Sequence, residues 1–307
     1  MKKMVSLLLL LFLSFILAGN AGAEPNNVPK DNNGLVKPVN NPEKLSVKQL
    51  NKRLLAMGYT ENEIEGMSDF IKRQIVQVGG KKANMTAEPI EQYYTSLNGV
   101  KYKITDENKT EIENIKQKDR IELGIVKEEP TFSTFDFSNG ASEDIWSATT
   151  YVTMTGQTST EYEYTFFADW LWSEAPFAYH TDKIAVAWEN DFTGISNTES
   201  SYAWALARYA DGDRMISTGD QVLDLKSEIY GLISDIGLGT WSQQAGGISQ
   251  TLAVNKNLSG TRSSLVTKYV HPWTAFDVSL NIGPGSISSE HFYGDEWTWR
   301  VNVTIGS

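Results

Sequence analysis

The sequence predicts an α+β protein, a small helical N-terminal region followed by an all-β, antiparallel, sandwich-like C-terminal domain. Three observations carry this. Two helix-capping boxes, each with a glycine stop in reach, fall between residues 44 and 80. All nine tryptophans and all three histidines lie beyond residue 131. In that second part apolar residues recur with period two, the pattern of half-buried strands.

The first 23 residues read as a secretory signal peptide. Lys2 and Lys3 form a positive start, Val5 to Ala18 is almost wholly apolar, and Ala21-Gly22-Ala23 fits a small-x-small cleavage site. The apolar run is shorter than the roughly 20 residues that span a bilayer. Export, with no stable membrane anchor, is therefore the expectation. The chain has no cysteine, so its stability has to come from an ordinary core rather than from disulfides.

Residues 24–43 are rich in Asn and Pro and read as a disordered or extended linker. Residues 44–130 read as the helical region. Ser46 with Gln49 and Thr60 with Glu63 have capping-box spacing, with Leu45/Leu50 and Tyr59/Ile64 as hydrophobic staples. Gly58 is placed to stop the first helix. Ser68 caps a third, which Gly79-Gly80 ends. Leu97-Asn98-Gly99-Val100 predicts a type I′ hairpin, since Asn-Gly tolerates positive φ at both central positions. A charged helix is expected from Thr105 through Lys118, with Lys116 on its solvated face. Residues 121–131 read as a second linker.

Residues 131–307 form the expected β domain. Trp297, Trp299, Val301, Val303 and Ile305 share one strand face, and so do Tyr162, Tyr164, Phe166, Ala168, Trp170 and Trp172. Ile184 to Trp188 is apolar on both faces, as in a central strand. Gln221 to Ile236 opens as a strand, but its later spacing also fits a helix.

Two stretches resemble uncharacterised secreted proteins of Gram-positive bacteria. One is the helical segment Leu54-Leu55-Ala56-Met57-Gly58-Tyr59-Thr60 running through Ile71-Lys72 to Gly79-Gly80. The other is the aromatic β part with Trp170-Leu171-Trp172 and Lys268-Tyr269-Val270-His271. The resemblance implies a secreted β protein with no known activity, and it assigns no functional residue.

Charge excludes one class of partner. Residues 24–130 carry 17 basic and 17 acidic side chains, whereas residues 131–307 carry 8 and 21. So acidic a domain repels nucleic acid and anionic membrane surfaces. There is no Gly-x-Ser-x-Gly, no His-Glu-x-x-His and no phosphate-binding loop. The candidate acid pair is Glu189 and Asp191, which would share a face if both lay on a strand, at a spacing suited to glycoside hydrolysis. Trp170, Trp172, Tyr162 and Tyr164 are candidate sugar-stacking residues, beside their role as core. Asp182, Asp211 and Asp213, with His180, His271 or His291, are a candidate metal set whose hard oxygens would favour calcium. No other cofactor is implied.

The function these features favour is a non-catalytic extracellular binding or structural module, its ligand a glycan or a protein. A secreted glycan-active hydrolase and a pore-forming or antagonistic toxin are the alternatives. The last rests on the Ser/Thr-rich stretch Ser147 to Thr160, which also suits a membrane hairpin. An exposed coplanar Trp pair would favour glycan binding, a deep acidic cleft catalysis, and a long unpaired hairpin the pore.

Overall fold

The structure is a computed structural model describing residues 28–125, 146–176, 178, 180–209, 212–216, 221–239, 241, 243–275 and 278–307. The signal segment 1–23 lies outside the described residues, as does most of the second linker. The chain divides into two compact units, one up to Gly79 and one from Gly80 onward.

In the first unit the helices start and stop where the sequence places them. Helix α1 (Val47–Met57) opens on a complete Ser46/Gln49 capping box and closes at Gly58, whose φ of 100° is left-handed. Helix α2 (Glu61–Gly66) repeats the box with Thr60 and Glu63. Helix α3 (Asp69–Val78) is capped by the Ser68 side chain, which accepts the Ile71 N–H. Leu50, Leu54, Ile71 and Ile75 are fully buried. The segment expected as a disordered linker is folded over residues 28–43. The Asp31 carboxylate accepts the N–H groups of Asn33 and Leu35, a turn that pairs Lys30 with Val36 and buries Leu35 and Val36. These two apolar side chains are what a purely compositional reading passes over.

The second unit is built of antiparallel ladders in two large sheets. One takes the order β1 (Lys81–Lys82), β5 (Trp146–Gln157), β6 (Glu161–Trp172), β13 (Gln243–Asn255), β9 (Ser200–Tyr209) and β10 (Gly212–Ile216), with β8 (Phe192–Gly194) also on β13. The other takes β11 (Val222–Glu228), β12 (Gly231–Gly237), β7 (Thr181–Trp188), β14 (Arg262–Pro272), β17 (Gly294–Thr304), β3 (Glu91–Thr95) and β4 (Lys101–Lys103), with β2 (Met85–Ala87) also on β17. A separate hairpin joins β15 (Ser279–Gly283) to β16 (Ser286–Glu290). Helix α4 (Lys109–Glu122) belongs to this unit too.

The unit therefore begins near residue 80, not at the boundary expected at 131. Strands β1 to β4 are too short and too charged to show an apolar period of their own. They are strands because they extend sheets made elsewhere, as where Gln92 pairs with Trp297. The β3–β4 turn also differs from expectation. The Gly99 N–H bonds to the Ser96 carbonyl, and only Gly99 of the two central candidates has positive φ, at 75°. The loop is thus a three-residue connection ending in a left-handed glycine rather than a type I′ turn. Helix α4 starts after Asn108, whose side chain accepts the Thr105 N–H. Lys116 is buried rather than solvated, 2.6 Å from Asp295.

The ambiguous stretch after Gln221 is a β hairpin. Leu232, Ser234 and Ile236 alternate inward on β12, which lies against β7. That neighbour decides between two periods that the local sequence leaves open.

The two sheets pack face to face through aromatic side chains. Trp146 of β5 stacks on Trp297 of β17 with centroids 4.3 Å apart and planes inclined by 19°. Trp170 lies 5.4 Å from Tyr269, and Phe166 lies 6.1 Å from Trp188. Thr150 and Thr267 meet across the same interface at 3.3 Å, and Trp299 donates its indole N–H to Thr150. Strand β7 is buried along almost its whole length, as a central strand should be. Gly246 is hemmed in by its own sheet, since a Cβ there would run into the Tyr202 carbonyl oxygen on β9 and lie 2.9 Å from the Trp170 ring on β6.

Candidate functional site

The aromatic stripe is a core, not a platform. Tyr164, Phe166, Trp170 and Trp172 are all nearly inaccessible, and only Tyr162 is half-buried. Tyr162 carries Lys256 Nζ 5.0 Å above its ring. Tyr164 accepts the Gly306 N–H at 2.8 Å. Stacking on a sugar needs an open ring face, and Trp170 and Trp172 offer none. Strand β5, which holds most of the stretch read as a possible membrane hairpin, is paired along β6 and buries Thr150, Val152 and Met154.

Glu189 and Asp191 do not share a strand face. They sit in the turn after β7, closed by the Phe192 N–H on the Glu189 carbonyl at 3.1 Å. The turn breaks the alternation that would have aligned them. Glu189 faces Arg300 at 3.6 Å instead.

Asp182 is fully buried between the sheets. It accepts the Tyr269 hydroxyl at 2.5 Å and lies 2.9 Å from His271 Nδ1. Burial pushes its carboxyl up, against the opposing pull of His271. Both its oxygens are engaged by the core, which leaves no open face for a cation. Asp211 lies outside the described residues, and Asp213 pairs through its backbone with Arg208 on β9. Among the described residues no three His, Cys, Asp or Glu side chains gather as a metal would require.

The site that geometry does assemble was not marked by any motif. A cavity of about 480 Å³ opens between the β3–β4 hairpin, through Thr95, Gly99 and Lys101, and the segment from Ser289 to Tyr293. His291 shapes that segment, with a left-handed φ of 61° that is uncommon outside glycine.

Behind the cavity lies a buried ion cluster. Glu296 projects from β17 and is 1% exposed. Its Oε1 accepts Lys101 Nζ at 2.7 Å and Lys268 Nζ at 2.8 Å. Its Oε2 accepts the Ser289 hydroxyl, and Lys268 also reaches Ser289 at 3.4 Å. Burial pushes the Glu296 carboxyl up, but Lys268, Lys101 and Ser289 outweigh it and hold the group below the usual carboxylate range. Burial draws the Lys268 ammonium down, opposed by Glu296. The charge pattern continues outward along the hairpin. Lys101 lies 4.8 Å over the Tyr93 ring, and the Tyr93 hydroxyl donates to Glu91 at 2.6 Å. That bond and burial push the Tyr93 hydroxyl up to about 12.

This arrangement is suited to holding polar groups rather than to moving protons. Ser289 is the hydroxyl nearest a base, yet its base is a carboxylate already stabilised in its ionised form by two ammonium groups. A low carboxyl pKa makes a weak general base. One signal in the sequence could have found the cluster. Lys268 stands between Val266 and Val270 on one strand face, and a charge in such a stripe has to have a partner.

Two facing antiparallel sheets with an aromatic core, preceded by a small helical unit, define an antiparallel β-sandwich protein. No protein-family model matches the sequence, and no curated protein matches it. Among solved structures the chain is similar to the RrgB pilus backbone from Streptococcus pneumoniae, at 12% identity and a TM-score of 0.25, over 36% of this chain and 24% of that one. It is similar to the T6 backbone pilin of serotype M6 Streptococcus pyogenes, at 16% and 0.32, over 50% and 35%. It is also similar to the collagen binding domain of the surface protein RspB from Erysipelothrix rhusiopathiae, at 13% and 0.27, over 51% and 46%. The match spans less than half the length of each of these chains. Among the described residues no helix is long and apolar enough to cross a membrane.

Proposed function

We propose that this protein is a non-catalytic extracellular binding or structural module, and that the cavity beside Lys101 and His291 is where it meets a polar ligand, a glycan or a peptide. The observation that carries the reading is the closed Lys101–Glu296–Lys268–Ser289 cluster. Its two ammonium groups hold the one carboxylate ionised, and its one nucleophile candidate faces a weak base. Export is supported by the positively charged start, the apolar run and the Ala21-Gly22-Ala23 site. The Lys101 ammonium and the exposed His291 ring stand at the cavity rim, where donors on a fixed frame suit hydroxyl, carboxylate or amide oxygens.

The test has two arms. The mature protein is screened for binding to immobilised polysaccharides, peptidoglycan and matrix proteins, and for turnover of the same materials. Binding that falls at least tenfold in Lys101→Ala or His291→Ala, with folding intact, supports the cavity as the ligand site. Turnover by the wild type that disappears in Ser289→Ala, or in Glu189→Gln, sinks the non-catalytic reading.

A further inference from the structure

We propose that two copies of this chain pair through β11, strand against strand and antiparallel, with the two-fold axis at Leu225. Strand β11 is the edge of the larger sheet, and among the described residues its strand partner is β12 alone. The β11–β12 hairpin has a two-residue tip, Ile229-Tyr230, closed by the pair Glu228 and Gly231. A pair that closes such a hairpin exchanges backbone hydrogen bonds, and the pattern alternates from there. Glu228, Lys226 and Asp224 therefore turn their backbone groups toward β12. Leu225 and Ser227 turn theirs outward, as an unpaired edge.

Edges of this kind are normally blunted by proline, by short length or by an isolated charge. Strand β11 has seven residues and no proline; Leu223 within it at 57% and Ile229 just past its end at 80% are the two most exposed large apolar side chains among the described residues. The strand carries three charged side chains, Asp224, Lys226 and Glu228, of which Lys226 on its own would repel a second copy. Asp224, two residues away on the same face, reverses that effect. The two side chains are about half exposed and lie 3.3 Å apart within the chain.

Register follows from length and charge together. Strand β11 runs from Val222 to Glu228, so only a pairing centred on Leu225 uses the whole strand. That pairing sets Asp224 of each copy opposite Lys226 of the other, twice, and sets the outward-facing backbone of Leu225 against its counterpart. A pairing centred one residue further on would set Lys226 against Lys226 and Asp224 against Glu228. Like charges directly opposite destabilise a ladder, and opposite charges support it. The bulge between Val222 and Asp224 lays the Leu223 side chain over Gly237 of β12. The arrangement is isologous, as closed dimers require.

The experiment is sedimentation velocity on the mature chain over a concentration series, with D224K and K226D prepared singly and then mixed. Both positions are exposed, and thermal unfolding of each variant checks that the fold is kept. The wild type is expected to show a concentration-dependent dimer. Each single variant is expected to lose it, because both cross-strand pairs then carry like charge. An equimolar mixture is expected to recover it, because one chain then presents two positive and the other two negative side chains. A wild type that stays monomeric at its highest soluble concentration overturns the proposal. So does a dimer indifferent to both substitutions, or a mixture that stays monomeric.

Discussion

Trp172 on β6 donates its indole N–H to the hydroxyl oxygen of Tyr269 on β14 at 3.0 Å, and Tyr269 donates its own proton to Asp182. This relay ties the two sheets together through directional bonds inside an otherwise apolar aromatic core. Trp170, two residues away on the same strand, is equally buried, but its indole N–H has no hydrogen-bond partner among the described residues. Replacing either tryptophan with Phe removes similar ring area. Only Trp172→Phe also removes a buried hydrogen bond, worth about 1 kcal/mol. Chemical denaturation should therefore rank Trp172→Phe below Trp170→Phe by about that amount. Equal losses would show that the relay adds nothing to packing.

Trp299 stands mid-strand on the inner face of β17, is 4% exposed, and bonds to Thr150 on the opposite sheet at 2.9 Å. Trp299→Ala is expected to lower stability by about 3–5 kcal/mol through loss of buried area and the cavity left behind. Urea denaturation followed by tryptophan fluorescence measures it. A loss under about 1 kcal/mol, the size of an ordinary substitution, would place the side chain outside the core.

How much of this was legible follows the range of each signal. The α1 and α2 caps are local chemistry, a side chain three residues from the N–H it accepts, so Ser46, Gln49, Thr60 and Glu63 could be read directly. The strands around Trp297 and Ile184 announce themselves by period because one or both faces are dry. Strands β1 to β4 do not, since Lys81, Glu91 and Lys101 become strand residues only by joining β5, β17 and β3. The site was hidden for the same reason. Lys101 and Glu296 are 195 residues apart in sequence, and nothing near either one marks the other. Glu189 and Asp191 show the opposite failure, a suggestive spacing undone by a turn that the tetrapeptide alone does not disclose.

Asp169 lies on the face of β6 opposite Trp170 and accepts the Tyr202 hydroxyl at 2.8 Å. Burial pushes its carboxyl up to about 7, with the Tyr202 bond pulling only partly back. The folded protein thus holds this proton more tightly than the unfolded chain, where the pKa is near 3.9. The stability it contributes is complete below about pH 4 and is lost as pH rises toward 7. Asp169→Asn keeps the shape and removes the titration. The melting temperature of the wild type, measured from pH 4 to pH 8, should fall relative to that of Asp169→Asn. Parallel curves would mean that Asp169 is ionised in the fold throughout.

The ion cluster behind the cavity makes the last prediction, and its sign runs the other way. Glu296 is held below the usual carboxylate range, so its contribution is present above about pH 4.3, the unfolded value, and is lost as pH falls through the depressed folded value. Glu296→Gln should remove that acid sensitivity and cost about 3–5 kcal/mol at neutral pH, because it leaves the Lys268 ammonium buried without its counter-charge. Lys268→Met should cost less, since Glu296 keeps Lys101 at 2.7 Å and Ser289 beside it. In the double variant the buried ammonium is gone, so the combined loss should fall short of the two single losses added together. Denaturant unfolding of the four proteins at pH 7 and pH 4 gives the complete cycle. Strict additivity would show that Lys268 and Glu296 do not act as a pair. A Lys268→Met loss as large as that of Glu296→Gln would show that Lys101 and Ser289 cannot sustain the carboxylate alone.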